Sequence, residues 1–282
     1  MTRNGSSQRA TTPTDRDFFT GLARAAGGAI FFSLPMMMTM EMWWLGFYMP
    51  RARLALFMLL MLPLLIALDR YSGFRQTSTW FEDSVDGLVA YGVGFVTSAV
   101  VLFLFNIVHP GQSVREVVGM ISLQAVPASF GAVLAASQLG GRSGEQEREK
   151  EGAGYGGELL FMAAGALFLA FNLAPTEEMI LIAFRMTPWH AIALIGTTLG
   201  VMHATVYAVG FEGQEEIPPG MSHGVALLRF TVVGYAIALL MSALTLWLFG
   251  RYGSSAYSVH LKQAVVLGFP AGVGAAAARL IL

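Results

Sequence analysis

Two carboxylates set in apolar runs are the residues of this chain best placed to do chemistry. Glu41 stands in the stretch from Pro35 to Phe47, among Met36, Met37, Met38, Met40 and Met42 and beside Trp43 and Trp44. Glu178 follows 137 residues later, in Asn172-Leu173-Ala174-Pro175-Thr176-Glu177-Glu178-Met179. Thr39, Glu41, Met42 and Phe47 are answered by Thr176, Glu178, Met179 and Phe184. An ionisable group in hydrocarbon is costly enough to be read as a functional site by default. Two such carboxylates brought near one another across an axis would make a cation or proton site, and Thr39, Thr176, Asn172 and Glu177 complete the candidate set around them.

Proline disfavours helix at the residue before it, so Pro175 predicts a break at Ala174, with Thr176 placed to cap a restarted helix. Pro35 is expected to loosen the first copy in the same way. A broken helix at membrane depth leaves backbone carbonyls and amides free to line a polar cavity. The competing reading makes each Glu an interfacial anchor, with Trp43, Trp44 and Arg185 at headgroup level and the carboxylates reaching water. The repetition of Thr-x-Glu-Met favours the functional reading, because a surface carboxylate has no need to be repeated.

Two further ionisable residues fall inside apolar spans. Arg229, about one and a half turns into the run that begins at Gly224, is expected to pair with a Glu or to snorkel to the near interface. His203, in Gly200-Val201-Met202-His203-Ala204-Thr205, is deeper, and its titration range allows a proton-relay role beside the commoner one of a hydrogen-bonded packing residue. Met38 and Met42 have a thioether spacing that could take Cu(I), but methionine also fills irregular apolar gaps, so the metal signal is weak. No phosphate-cradling Gly loop, His-Glu-x-x-His helix or Gly-x-Ser-x-Gly elbow occurs. No enzyme activity and no cofactor are therefore expected.

The elements that must position these residues are membrane helices. Of 282 residues, 55% are hydrophobic and 12% charged, with a net charge of −1 and no cysteine, which is the composition of a polytopic membrane protein. The bilayer is the expected partner, with a small cation or proton as cargo, and nucleic acid is not expected, since no basic stripe is present. Windows of about 20 apolar residues give eight spans, 20–48, 53–69, 87–108, 117–138, 158–184, 188–210, 224–250 and 260–282. The second is short, and Pro127 and Pro270 would interrupt the fourth and eighth, which leaves counts of seven and nine open beside eight. Residues 1–17 read as a disordered tail rather than a signal peptide. Asp69 to Asp86 reads as an interfacial piece, 140–157 as a charged, Gly-rich flexible linker, and 211–222 as a turn-rich connection. Lys and Arg number ten on the N-terminal side of the spans and six on the other, which places both termini in the cytoplasm.

The chain reads as a duplication. Residues 26–49 and 163–186 match at nine of 24 positions, where apolar composition alone would give roughly two or three. Farther on, Pro-Ala-x-x-Gly-Ala occurs at Pro127, Ala128, Gly131 and Ala132 and again at Pro270, Ala271, Gly274 and Ala275. The expected fold is all-α, a transmembrane bundle of two tandem four-helix repeats, 18–139 and 158–282. An even number of spans per half gives both the same orientation, related by an axis along the bilayer normal.

The strings Pro35 to Gly46 and Asn172 to Glu178 are similar to those of a bacterial family of integral membrane proteins defined as a domain of unknown function. That resemblance covers most of the chain after the tail. It implies a bacterial inner-membrane location and adds no activity. On the residues, the leading expectation is a transporter or channel for a small cation or protons that uses Glu41 and Glu178. The alternative is a non-transporting membrane scaffold or accessory subunit.

Overall fold

The structure is a computed structural model that describes residues 15–72, 80–138, 143–207, 222–253 and 256–281. Among these residues there are helices and no strands. In chain order they are α1 (Asp15–Met37), α2 (Met40–Tyr48), α3 (Arg51–Ser72), α4 (Trp80–Leu104), α5 (Val114–Gln138), α6 (Ser143–Leu173), α7 (Glu177–Arg185), α8 (Pro188–Tyr207), α9 (His223–Ala226), a π-helical stretch (Leu227–Val232), α10 (Val233–Leu248) and α11 (Tyr257–Ile281). Seven stretches are long and apolar enough to cross a bilayer, and α1 with α2, bent by 87°, makes up to an eighth. With each crossing antiparallel to the last, α1 begins and α11 ends on one face, here the first face. The α1–α2 and α6–α7 breaks lie toward the second.

Helices run on where apolar sequence lets every backbone group bond within its own segment, the condition the bilayer imposes. Proline does not override it: α5 passes through Pro127 and α11 through Pro270, so the interruption expected there does not occur. Both helices are enclosed by neighbours, which is where a membrane helix tolerates proline. Residues 143–153, expected as a flexible linker, are helical and are set off from the membrane span by Gly154 at φ +59°. The Glu, Gln, Arg and Lys of this segment are good helix formers, and that local preference outweighs its scattered glycines. Of the expected N-terminal tail, residues 1–14 lie outside the described residues and the last three begin α1. The expected interfacial piece is helical at both ends, in α3 and α4, and 73–79 lie outside the description, as does most of the 211–222 connection.

The same construction occurs twice along the chain. A span, a break, a nine-residue helix and three further crossings follow one another in 15–138 and again in 143–281. Within each set the last helix is central: α5 packs on α1, α2, α3 and α4, and α11 on α6, α7, α8 and α10. Where α1 crosses α5, Gly28 and Gly131 face each other so closely that a methyl on either would overlap the other's carbonyl oxygen. Where α6 crosses α11, Gly165 and Gly274 do the same. The two strings that repeat in the sequence are thus the two that meet in space, because close backbone approach needs glycine on both sides.

The ends of α4 and α10 also match. Asn106 (φ 56°) and Gly250 (φ 69°) both take the left-handed conformation. Behind them Ile107 N–H donates to Leu102 O at 2.9 Å and Arg251 N–H to Leu246 O at 2.8 Å, the Schellman closure of a helix end. Between the two sets of helices the core is aromatic, with Phe57 of α3 and Phe130 of α5 against Phe171 of α6, and Phe249 after α10 closing the group.

Candidate functional site

The candidate residues fall in three places. At the first break, Thr39 has extended backbone, φ −96° and ψ 127°, and stands at the N-cap of α2. Its hydroxyl donates back to Met36 O at 2.8 Å, and Trp43 Nε1–H donates to Met37 O at 2.6 Å. Gln124, buried in α5, donates its amide to Met36 O at 3.3 Å. The carbonyls freed at the end of α1 therefore have protein donors and do not line an open polar cavity. Glu41 is the second residue of α2 and is half-buried. A carboxylate in a first turn faces the positive end of the helix dipole and the unpaired amides there.

At the second break, Thr176 is extended (φ −73°, ψ 146°) at the N-cap of α7. It does not cap that helix through its side chain, as its position predicts; the hydroxyl instead donates to Leu173 O at 2.8 Å, the geometry of Thr39 repeated. The reason is local, since an extended Thr just past a helix end reaches the carbonyl three residues behind it. Asn172 donates to Phe168 O at 2.7 Å, within its own helix. Glu177 pairs with Arg251 at 2.8 Å, and the same guanidinium donates to Thr176 O at 3.3 Å. That ion pair has one largely covered and one open member, with side-chain exposures of 11% for Arg251 and 72% for Glu177. Glu178, second in α7, is exposed. Near Arg251, burial raises the Tyr252 phenol above its ordinary value.

Glu41 and Glu178 are each the second residue of a nine-residue helix that follows a break. Each short helix packs on the central helix of its own set, α2 on α5 and α7 on α11, and α2 and α7 do not form a packed pair. The Met38 and Met42 thioethers are parted by the break, with Met38 62% exposed and Met42 1%. The helical spacing that suggested a Cu(I) pair does not exist there.

The third place lies toward the first face. His203 of α8 has Nδ1 3.0 Å from the Thr231 hydroxyl, the donor being set by the imidazole tautomer. One turn on, the Tyr207 ring lies 5.0 Å from the His203 ring, and its hydroxyl accepts from Arg279 Nη1 at 3.0 Å. Arg279 of α11 is 6% exposed. Its guanidinium lies 4.4 Å from the Phe230 ring centre and 3.6 Å from a carboxylate oxygen of Glu158 on α6. Thr231 and Phe230 belong to the π-helical stretch, a local widening that recurs at functional sites. Arg229, in the same stretch, is exposed, meets no carboxylate among the described residues and covers the Tyr155 ring at 5.0 Å, while Tyr155 donates its hydroxyl to Arg229 O at 2.7 Å. Of the two expectations for Arg229, pairing with a Glu does not occur among the described residues.

Four helical segments thus meet in one polar chain, Glu158, Arg279, Tyr207, His203 and Thr231. It holds a fixed cation, a carboxylate, two hydroxyls and an imidazole, groups able to pass or hold a proton. Sequence reasoning singled out His203, and separately Arg229, but missed Glu158, Tyr207, Thr231 and Arg279. Arg279 lies near the end of the span 260–282 and reads in sequence as one of the charges on the N-terminal side of the spans. Its signal was its setting, with Ala275 to Ala278 before it and Leu280 and Ile281 after it, which keeps the helix going past the charge. Among the described residues no group of three or more His, Asp or Glu is arranged to hold a metal ion.

The family described as "Putative integral membrane protein (DUF2391)" matches residues 21–282. No curated protein and no solved structure matches the chain.

Proposed function

Because the chain belongs to that family of integral membrane proteins, we propose that it is a multi-pass transporter or channel for protons or a small cation. The observation that carries this is the chain from His203 to Glu158, in which a buried arginine, a carboxylate and an imidazole are joined across α6, α8, the π-helical stretch and α11. Charge at such a position is costly in a membrane unless it does something there. His203 is the proton carrier, an imidazole held at the Thr231 hydroxyl and against the Tyr207 ring. Arg279 is the fixed cation that favours a negative Glu158 and disfavours a second positive charge nearby. Glu41 and Glu178, on first turns toward the second face, receive or release the cation there.

The duplication and the inner-membrane orientation belong to the same reading. The matching Thr hydroxyl bonds, glycine crossings and left-handed helix ends support two tandem repeats. An even number of crossings and the excess of Lys and Arg on the first face support cytoplasmic termini.

A second reading, a non-transporting scaffold or accessory subunit, is favoured by the exposure of Glu178 and by first-turn positions that the helix dipole alone explains. The test is flux in proteoliposomes across a panel of protons, Na+, K+ and Li+. Saturable, pH-dependent flux above protein-free vesicles supports transport, and leakage equal to those vesicles for every ion supports the scaffold.

A further inference from the structure

Between α1, α5, α6 and α11 lies a half-open cavity of about 570 Å3, within the range of roughly 300–1,000 Å3 usual for ligand pockets. The glycine crossings create it. At Gly28 and Gly131 and at Gly165 and Gly274 the backbones touch, so no side chain remains to fill the space beside them. Its wall is apolar throughout, with Phe31, Phe32, Phe161 and Phe168 its largest side chains. Every lining residue lies in a helix long and apolar enough to cross a bilayer, α1 as one part of the bent pair with α2, so in a membrane the opening meets lipid. With no side-chain donor or acceptor in its wall, the cavity offers a polar solute nothing for its lost hydration. A hydrocarbon chain loses nothing by entering.

One turn from Gly27 and Gly28 toward the first face, on the same side of α1, stands Arg24, since residues three and four apart share a helix face. Arg24 is half-buried and has no hydrogen bond or ion pair among the described residues. Long cationic side chains at helix ends reach the headgroup layer, where a guanidinium can take a phosphate through two parallel hydrogen bonds. We propose that the cavity is a binding site for an acyl chain of one anionic phospholipid, whose phosphate is held by Arg24.

Gly27 supplies the test, because a Cβ built there meets nothing within 4 Å, so a larger residue enters the cavity without moving backbone. Purified protein in detergent is titrated with phosphatidylglycerol and with phosphatidylcholine and read by native mass spectrometry. Wild type is expected to bind one phosphatidylglycerol with about fivefold preference, the worth of one cation near a lipid surface. Gly27→Leu, or Ala277→Phe from the opposite wall, should weaken binding of both lipids at least about tenfold, as loss of even two buried methylenes would. Arg24→Gln should abolish the preference and keep the acyl chain. Elution volume and Tm establish that each variant is folded. In wild type, a phosphatidylglycerol carrying a diazirine on its acyl chain should label residues 27–31 or 161–168. Wild-type affinity in both folded cavity-filling variants, or labelling confined to other segments, would overturn the proposal. So would disulfide-linked dimers of Gly27→Cys, which would show a second copy covering the cavity; the chain has no other cysteine to confuse that result.

Discussion

Replacing Gly165 by alanine tests how the bundle is held together. A Cβ there would lie 2.7 Å from Ala278 Cβ and 2.9 Å from Gly274 C, whereas carbon atoms in favourable contact sit roughly 3.5–4.0 Å apart. The helices must part by about 1 Å, and over-packing of this kind costs roughly 1–3 kcal/mol. Alanine returns about 1 kcal/mol through its better helix propensity, so the net loss is up to about 2 kcal/mol. Gly27→Ala is the matched control, since it carries the same propensity gain and meets nothing within 4 Å. Thermal unfolding in detergent should therefore lower Tm for Gly165→Ala and for Gly131→Ala, and leave it equal or higher for Gly27→Ala. If all three unfold together, the close crossings do not carry the packing, and the proposed duplication loses its physical basis.

Arg279→Ala leaves Glu158 and the Tyr207 hydroxyl without their guanidinium and should cost about 1–3 kcal/mol, read as a fall in Tm; Glu158→Gln, whose carboxylate is partly open to solvent, should cost about 1 kcal/mol. Met38→Leu with Met42→Leu should stay within about 1.5 kcal/mol of wild type because the volumes are close; loss of Cu(I) binding in isothermal titration would restore the metal reading. A single cysteine at Gly144 should react with a membrane-impermeant maleimide only after the cytoplasmic side is opened, and labelling of intact cells from the periplasm would reverse the orientation.

The spans were legible in the sequence because the bilayer admits so few solutions that hydropathy nearly fixes them. The repetition of Thr39 and Thr176 also carried real geometry, since both hydroxyls bond the carbonyl three residues back. The 87° turn after α1 was only half legible, because Pro35 lies inside the helix and the chain bends beyond it, at Met38 and Thr39. The partners of His203 were not legible at all. Thr231, Tyr207 and Arg279 come from distant stretches, and their meeting depends on how α8, the π-helical turn and α11 pack, which no local pattern records. For the same reason, equivalence in sequence did not make neighbours of Glu41 and Glu178, as each short helix docks on its own central helix.

The most direct measurement of the central claim is ion flux in proteoliposomes carrying equal amounts of folded wild type, His203→Gln, Glu41→Gln, Glu178→Gln and the double Glu variant, each followed across pH. Wild type should show flux that changes with pH, His203→Gln should lose that dependence, and each Glu variant should pass less ion, with the double variant the lowest. Wild-type flux that every variant reproduces at all pH values would contradict the account.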